Sequence, residues 1–386
     1  MNRFGSSSPE LAEPETRRTV LGLLLRRGWL EVHPFGDQTA FAQQVTKLGR
    51  KAEVEVICFG PEDVDRTSRR LSASRYLGPR RGWVREQTPL PDVLWNRCLR
   101  QDHDGLLAWF AEQSVPSINS ACLNKWEMYQ CLRSDEMLQP HLPETLLVTG
   151  GETVVEMLQR HPVVLLKPLM GTGGRGILRG RLSGLGVMQF EFVSAETGML
   201  KEAYVEWEQL DRWLQRRKAA GRYIVQQELS LAVFYGRVAD LRVLVQKDGQ
   251  GCWSVTGMGC RVARNGHFTA NLQTGGQGVP ADLLLEAVAP DPGQREALQE
   301  RVASLALRAA HQIEACLGPM GELGLDFGLD RRGDLWLLEA NALPGREIFA
   351  HMAQWELWEE AHLRPVLYAR YLVTGKEQQA APAEAT

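Results

Sequence analysis

Apolar runs of strand length alternate with stretches of helical period along most of this chain. Thr19 to Leu25 reads as a strand, Thr39 to Leu48 as a helix, and Glu53 to Phe59 as a strand passing from alternation to a continuous apolar run. Asp92 to Asn96 is a short apolar strand, followed by a helix through Trp109 and an extended piece from Val115 to Asn119. Strand and helix in turn predict a first α/β domain over residues 18–120. Inside it, Leu71 to Gln87 carries Arg75, Tyr76, Arg80, Arg81, Trp83 and Arg85 and reads as a solvated loop, with an anion-binding patch as the alternative.

Past that point Asn124-Lys125-Trp126 opens an amphipathic helix through Leu132, and Pro140 and Pro143 break the chain before a strand at Thr145 to Val148. A short helix from Thr153 to Arg160 leads into the apolar run Val163 to Leu166. Phe190 to Val193 and the run near Leu200 predict small strands. Glu206 to Ala220 predicts a helix ended by Gly221, where a left-handed conformation costs glycine least. Tyr223 to Leu229 is an apolar strand with a polar end, and Asp240 to Val245 alternates, setting Asp240 and Arg242 on one face. Trp253 to Met258 and Cys260 to Ala263 continue a sheet that carries Arg261, and Asp291-Pro292 starts a core helix that Gly318 stops. Glu322 to Asn341 reads as a hairpin turning at Asp330 to Asp334, and Ile348 to Leu372 as a helical packing segment. The polar composition of the ends predicts disorder at 1–17 and 376–386.

With 386 residues, 44% hydrophobic and 24% charged, the chain can bury a large core over two or three domains. A net charge of -3 without an uncompensated basic block argues against nucleic acid and for a small molecule or peptide. The longest apolar runs are far too short to span a bilayer and the N-terminus has no signal-type core, so a cytoplasmic protein without membrane association is expected. The seven cysteines form no C-x-x-C pair and sit mostly in apolar segments, which predicts reduced, buried thiols.

Candidate chemistry gathers where this pattern breaks. Behind Val163 to Leu166 come Lys167 and then Gly171-Thr172-Gly173-Gly174-Arg175-Gly176. Backbone amides freed of side chains can close around an anion there, which suggests a flap over nucleotide phosphates; a glycine-rich hairpin turn is the alternative. Gly171, Gly173 and Gly176 satisfy G-x-G-x-x-G, but no helix follows as a dinucleotide fold requires. The lysine precedes the glycines, which excludes a Walker loop, and Asp326-Phe327-Gly328 has no protein-kinase His-Arg-Asp upstream. Lys125, in the first turn of its helix, opposes the helix dipole and so suggests a further role. Gln226, Gln227 and Glu228, closing their strand before Leu229, suit an adenine edge, with Glu228 near the ribose; a strand end entering solvent is the alternative. In the hairpin, Glu339 and Asn341 share a face, and pairing across the turn brings Asp326 beside Glu339. Two acids set among Leu, Trp and Phe are costly unpaired, and with the amide oxygen they form a hard ligand set that suits magnesium shared with phosphates. His267 has no second His or Cys at ligand spacing.

Lys125, Lys167 with its glycines, the Gln226 to Leu229 strand end, Asp240-Leu241-Arg242, Arg261, Asn271-Leu272 with Gly275-Gly276, Asp326 and Glu339-Ala340-Asn341 together resemble the ATP-grasp superfamily, in order, over residues 120–350. Gln226-Gln227, Gly251 to Met258, Arg261 through Asn271, and Leu335 to Arg346 look most like its YheC/YheD-type members from spore-forming bacteria. Ribosomal-protein glutamate ligases are a more distant match. The resemblance implies a mixed α+β / α/β ATP-grasp fold, two lobes, 121–205 with the glycine flap and 206–375 with the magnesium site, closing on ATP behind an N-terminal α/β pre-ATP-grasp domain. It implies that Lys125 and Lys167 hold the α- and β-phosphates and that Gly171, Thr172, Gly173, Gly174 and Gly176 cover them. Gln226, Gln227, Glu228 and Leu229 would face adenine, Asp326, Glu339 and Asn341 would carry magnesium, and Arg242, Arg261 and Asn271 would steady the transferring phosphoryl group. The implied reaction is attack of a substrate carboxylate on the γ-phosphate, then displacement of phosphate by an amine. A spore-associated structural protein without turnover and a small-molecule kinase are the alternatives. Ala342-Leu343 departs from relatives that often carry Ser or Lys there, and the acid, the amine and the oligomeric state are left open.

Overall fold

Three six-stranded sheets follow one another along the chain. The computed structural model describes residues 18–98, 105–120 and 124–380, apart from 29, 172, 185 and 195; the ends 1–17 and 381–386, predicted above as disordered, lie outside the described residues.

In the first sheet, β1 (Thr19–Leu24) lies between β2 (Val54–Phe59) and β6 (Val93–Asn96), parallel to both. β3 (Val64–Asp65), β4 (Arg70–Tyr76) and β5 (Trp83–Pro89) extend it antiparallel beyond β2. The segment expected as a solvated loop is therefore a ribbon. Helix α1 (Thr39–Lys51) covers one face through Ala42 and Val45, and α2 (Leu106–Glu112) the other through Leu106 and Phe110.

After α3 (Lys125–Arg133), the second sheet runs β7 (Thr145–Leu147), β8 (Val163–Pro168), β9 (Leu178–Gly184), β10 (Val187–Val193), β11 (Leu200–Glu206) and β12 (Tyr223–Gln227). In space the order is β11-β10-β9-β8-β12-β7, with α4 (Gly151–Arg160) and α5 (Leu210–Arg216) packed on its apolar face. The helix expected at Glu206 to Ala220 is shorter, because Glu206 still pairs with Val187 and Lys218 turns left-handed at φ 53.

The third sheet has the order β16-β15-β14-β17-β18, built from β13 (Val233–Phe234, paired to β14), β14 (Arg237–Lys247), β15 (Trp253–Val262), β16 (Gln277–Pro280), β17 (Glu322–Leu329) and β18 (Leu335–Asn341). α6 (Ala281–Val288) and α7 (Pro292–Leu317) bury Leu284, Leu285, Val302, Ala306 and Ile313 against it. Asp291 starts α7 by accepting from the Gln294 amide at 2.9 Å, and Gly318 ends it at φ 89. α8 (Glu347–His351) and α9 (Trp355–Ala380) close the chain. α9 runs into the stretch expected to fray, and its Val366, Tyr368 and Ala369 are core residues of the first sheet, beside Leu21 and Trp95. Among the described residues no helix is long and apolar enough to cross a membrane. Cys58, Cys98, Cys131 and Cys260 are buried as expected, whereas Cys252 and Cys316 are exposed; Cys122 lies outside the described residues.

Candidate active site

Lys167 ends β8 almost fully buried, and its ammonium donates to Gln226 Oε1 on neighbouring β12 at 2.5 Å. The Gln226 amide donates in turn to Thr145 Oγ1 at 2.9 Å, so the lysine is held in one direction. Burial pushes this ammonium below its usual range, Lys125 adds to the shift, and Glu339, Asp326 and Asp240 oppose it. Asn124 caps α3 by accepting from the Trp126 and Glu127 amides, which puts Lys125 in the first turn. The Lys125 ammonium bonds the Gly171 carbonyl at 2.9 Å and pairs with Glu339 at 3.2 Å, joining the glycine loop to β18. Gly171, Gly173, Gly174 and Gly176 all take positive φ, which side chains resist; Thr172 lies outside the described residues. A Cβ on Gly173 would strike Gln273, and one on Gly174 would strike Asn271, so the loop rests on the connection from β15 to β16.

The third sheet supplies the facing wall. Its register sets Arg261 opposite Asp240, Asp326 opposite Arg242 and then Glu339, and Asn341 opposite Gly324, all across adjacent strands. Arg261 bonds Asp240 at 2.7 and 2.8 Å and Asp326 at 2.9 Å, while Arg242 grips Asp326 through Nε and Nη2. Burial alone would raise the Asp326 carboxyl, but Arg242 and Arg261 outweigh it and hold the group below the usual carboxylate range.

A cleft of about 700 Å³ brings Gly173, Arg242, Arg261, Asn271, Asp326, Glu339 and Asn341 together. A smaller cavity of about 30 Å³ adjoins it, lined by Lys125, Lys167 and Gln226 with apolar side chains such as Tyr129, Leu132 and Leu337; Glu339 belongs to both. Gln227, Glu228 and Leu229 line neither. The amides of Gln227 and Glu228 are taken by the Glu144 and Val163 carbonyls, and the Glu228 carboxylate is bound by Arg179 at 2.8 and 2.9 Å. Among the described residues no three His, Cys, Asp or Glu converge as a complete metal cage. Asp326, Glu339 and Asn341 line the same cleft, with Asp326 opposite Glu339 on neighbouring strands, and carboxylates with an amide are the hard oxygen donors that suit magnesium shared with phosphates.

A family model described as YheC/D-like ATP-grasp matches residues 114–372. The chain belongs to the YheC/D-like ATP-grasp family. It is 28% identical over 347 residues to the endospore coat-associated protein YheD of Bacillus subtilis, covering 88% of this chain and 75% of the relative. It is 22% identical to YheC of the same organism, covering 88% and 94%. Among solved structures, the VanG D-Ala:D-Ser ligase of Enterococcus faecalis aligns at TM-score 0.53 and 12% identity over 92% of this chain and 99% of that one. The D-alanyl-alanine synthetase A of Vibrio cholerae aligns at 0.51 and 12% over 91% and 98%. At such identities the likeness shows the ATP-grasp fold.

This YheC/D-like protein also has a buried polar centre beneath the cleft that sequence patterning missed. Glu322, fully buried at the start of β17, accepts from Trp95 at 3.1 Å, Arg97 at 3.1 Å, Gln246 at 3.0 Å and Arg346. Pro365, inside α9, has no N–H to give the carbonyl four residues back, and that Ala361 carbonyl accepts instead from Arg346 at 2.8 Å and Gln246 at 2.9 Å. Asn119 accepts from the Gly321 and Glu322 amides and donates to the Glu322 and Ala342 carbonyls, fastening the first domain to the hairpin that bears Asp326 and Glu339.

Proposed function

We propose that this chain is an ATP- and magnesium-dependent ligase that joins a carboxylate to an amine. The observation that carries the reading is the meeting of Lys125, Lys167 and the left-handed Gly173 with Arg242, Arg261, Asp326, Glu339 and Asn341 around adjoining cavities. Phosphoryl transfer asks a protein for little covalent work and for much charge placement, and this set supplies it. Lys125 and Lys167 neutralise phosphate charge, and the amides of Gly173, Gly174 and Gly176 enclose the same oxygens. Asp326, Glu339 and Asn341 would hold magnesium, which when bound offsets charge on the β- and γ-oxygens. Arg242, Arg261 and Asn271 steady the phosphoryl group in flight. The substrate carboxylate oxygen bonds to the γ-phosphorus as the bond to ADP breaks; the amine then bonds to the acyl carbon, phosphate leaves, and the amine's proton passes to solvent.

Hydroxylamine in place of the amine tests this: incubation with ATP, magnesium and a pool of amino acids and peptides should yield a hydroxamate and ADP. Release of AMP and pyrophosphate would overturn the acyl phosphate. A second reading, a coat-associated protein without turnover, is supported by the names of the Bacillus relatives and by Asp326 and Glu339 each carrying a cationic partner. Tight magnesium-ATP binding with neither hydroxamate nor ADP would favour it, whereas a stable phosphorylated product would point to a small-molecule kinase.

A further inference from the structure

The cleft is longer than the site it serves. From Asp326 and Asn341 it passes Arg346 and Arg97 and runs on along α1, past Gln38, Gln43 and Gln44 to Lys47 and Arg50. Gln38 to Lys47 spans about 14 Å at 1.5 Å per helical residue, the length of about four residues of extended chain. The wall along that length suits amide groups, since glutamine side chains both donate and accept. Gln38 gives one donor to the Arg97 carbonyl at 3.0 Å, while no side-chain bond of Gln43 or Gln44 competes among the described residues.

Charge is distributed unevenly along this wall. The acids lining it outside the metal hairpin, Asp37 and Glu347, sit toward the near end, Asp37 just ahead of α1 and Glu347 beside Arg346. At the far end Lys47 and Arg50 make no ion pair among the described residues, and Arg50 donates only to the neutral Tyr76 carbonyl. Glu359, the acid that Lys47 acts on through space, is bound by Lys51 at 2.8 Å. Tyr76, Gly78 and Pro79 from the β4–β5 turn complete this end of the cleft.

We infer that one of the two molecules joined in this site is elongated and peptide-like, lies along α1 for about three to four residues, and carries an anionic group that Lys47 and Arg50 receive. The inference rests on the ligase reading for the reaction, and on the cleft alone for binding.

The test uses the full chain with magnesium and ADP, and two synthetic series of one to four alanines with free C-termini, one capped at the N-terminus by succinyl and the other by acetyl. Calorimetry should show affinity rising with length, and the longest succinyl peptide binding about tenfold more tightly than its acetyl counterpart. Lys47→Ala with Arg50→Ala, both exposed, should erase that tenfold difference and leave the acetyl series unchanged. Equal affinity for the two caps, a single alanine binding as well as four, or no binding in either series overturns the inference. The same peptides with ATP and hydroxylamine separate the two claims. Length- and charge-dependent binding without ADP or hydroxamate removes the ligase and keeps the inference; turnover indifferent to length and cap does the reverse.

Discussion

Glu322→Gln keeps the size and shape of the residue beneath the cleft and removes its charge. Two guanidiniums, Arg97 and Arg346, then lose the carboxylate that binds both, with side chains 11% and 3% exposed and only Glu347 left to act on Arg346. An amide nitrogen in place of either oxygen must also face two of the four donors already in place. Breaking a buried pair from one side costs about 3–5 kcal/mol, because the surviving charge stays desolvated. For 386 residues melting together at about 2.1 cal/mol/K each, that is a fall in Tm of about 4–6 °C. Differential scanning calorimetry measures it. Glu314→Gln is the control: its carboxylate, which binds Lys247 and Trp253, is 25% exposed and should lose about 1 kcal/mol or less. Arg346→Met placed on Glu322→Gln removes one of the stranded charges and should recover part of the loss. A Glu322→Gln protein melting within about 1 °C of the parent, or a deeper loss on adding Arg346→Met, would refute the reasoning.

Other consequences are open to measurement. Asp326→Asn with Glu339→Gln should weaken ATP binding at least tenfold with magnesium and little without it; equal losses in titration calorimetry would count against the metal assignment. Gly174→Ala forces a side chain into φ 72 against Asn271, a strain of about 1–2 kcal/mol. It should raise the Kd for ATP severalfold while Tm moves by only about 1–2 °C, and an unchanged Kd would separate the glycine loop from the phosphates. His362 is held neutral, its pKa pushed down to about 3 by burial and then by Arg346 and Arg97. Between its ordinary 6.5 and about 3 the unfolded chain binds the proton and the folded chain does not, so stability falls as pH is lowered, by about 2 kcal/mol at about pH 5. Urea titration of His362→Gln should show a shallower acid limb; a limb as steep as the parent's would reassign the acid sensitivity to other groups.

What could be read from the sequence is what repeats over short distances. Alternation in Asp240 to Val245 and in the hairpin on either side of Asp330 to Asp334 fixes which side chains share a face, and the register then pairs Asp326 with Glu339 as that alternation implies. The β4–β5 ribbon escaped for the opposite reason. Most of β5 is exposed, so no apolar face marks it, and its arginines are held by acids at long range: Arg75 by Glu55 and Glu86, Arg85 by Asp63. At the end of β12, the Arg179 on β9 that binds Glu228 is a partner visible only once the sheet order is known.

The polar centre at Glu322 shows the limit most clearly, because its partners come from β6, β14, the turn after β18 and α9, and no local pattern joins them. A carboxylate at the start of an otherwise apolar strand is a warning of unpaired charge on any local reading. Its resolution depends on Arg97, 225 positions away. Pro365 is a second case. Inside a helical pattern it signals a break, yet α9 continues through it, and the carbonyl it leaves unpaired becomes the acceptor that aims Arg346 and Gln246 at Glu322. The same helix buries Val366, Tyr368 and Ala369 in the core that also takes Ala42 and Val45 of α1, so the first helix and the last share one packing unit under the first sheet. The α1 wall of the cleft therefore rests on side chains more than 300 positions further along the chain, a contact that no local pattern announces.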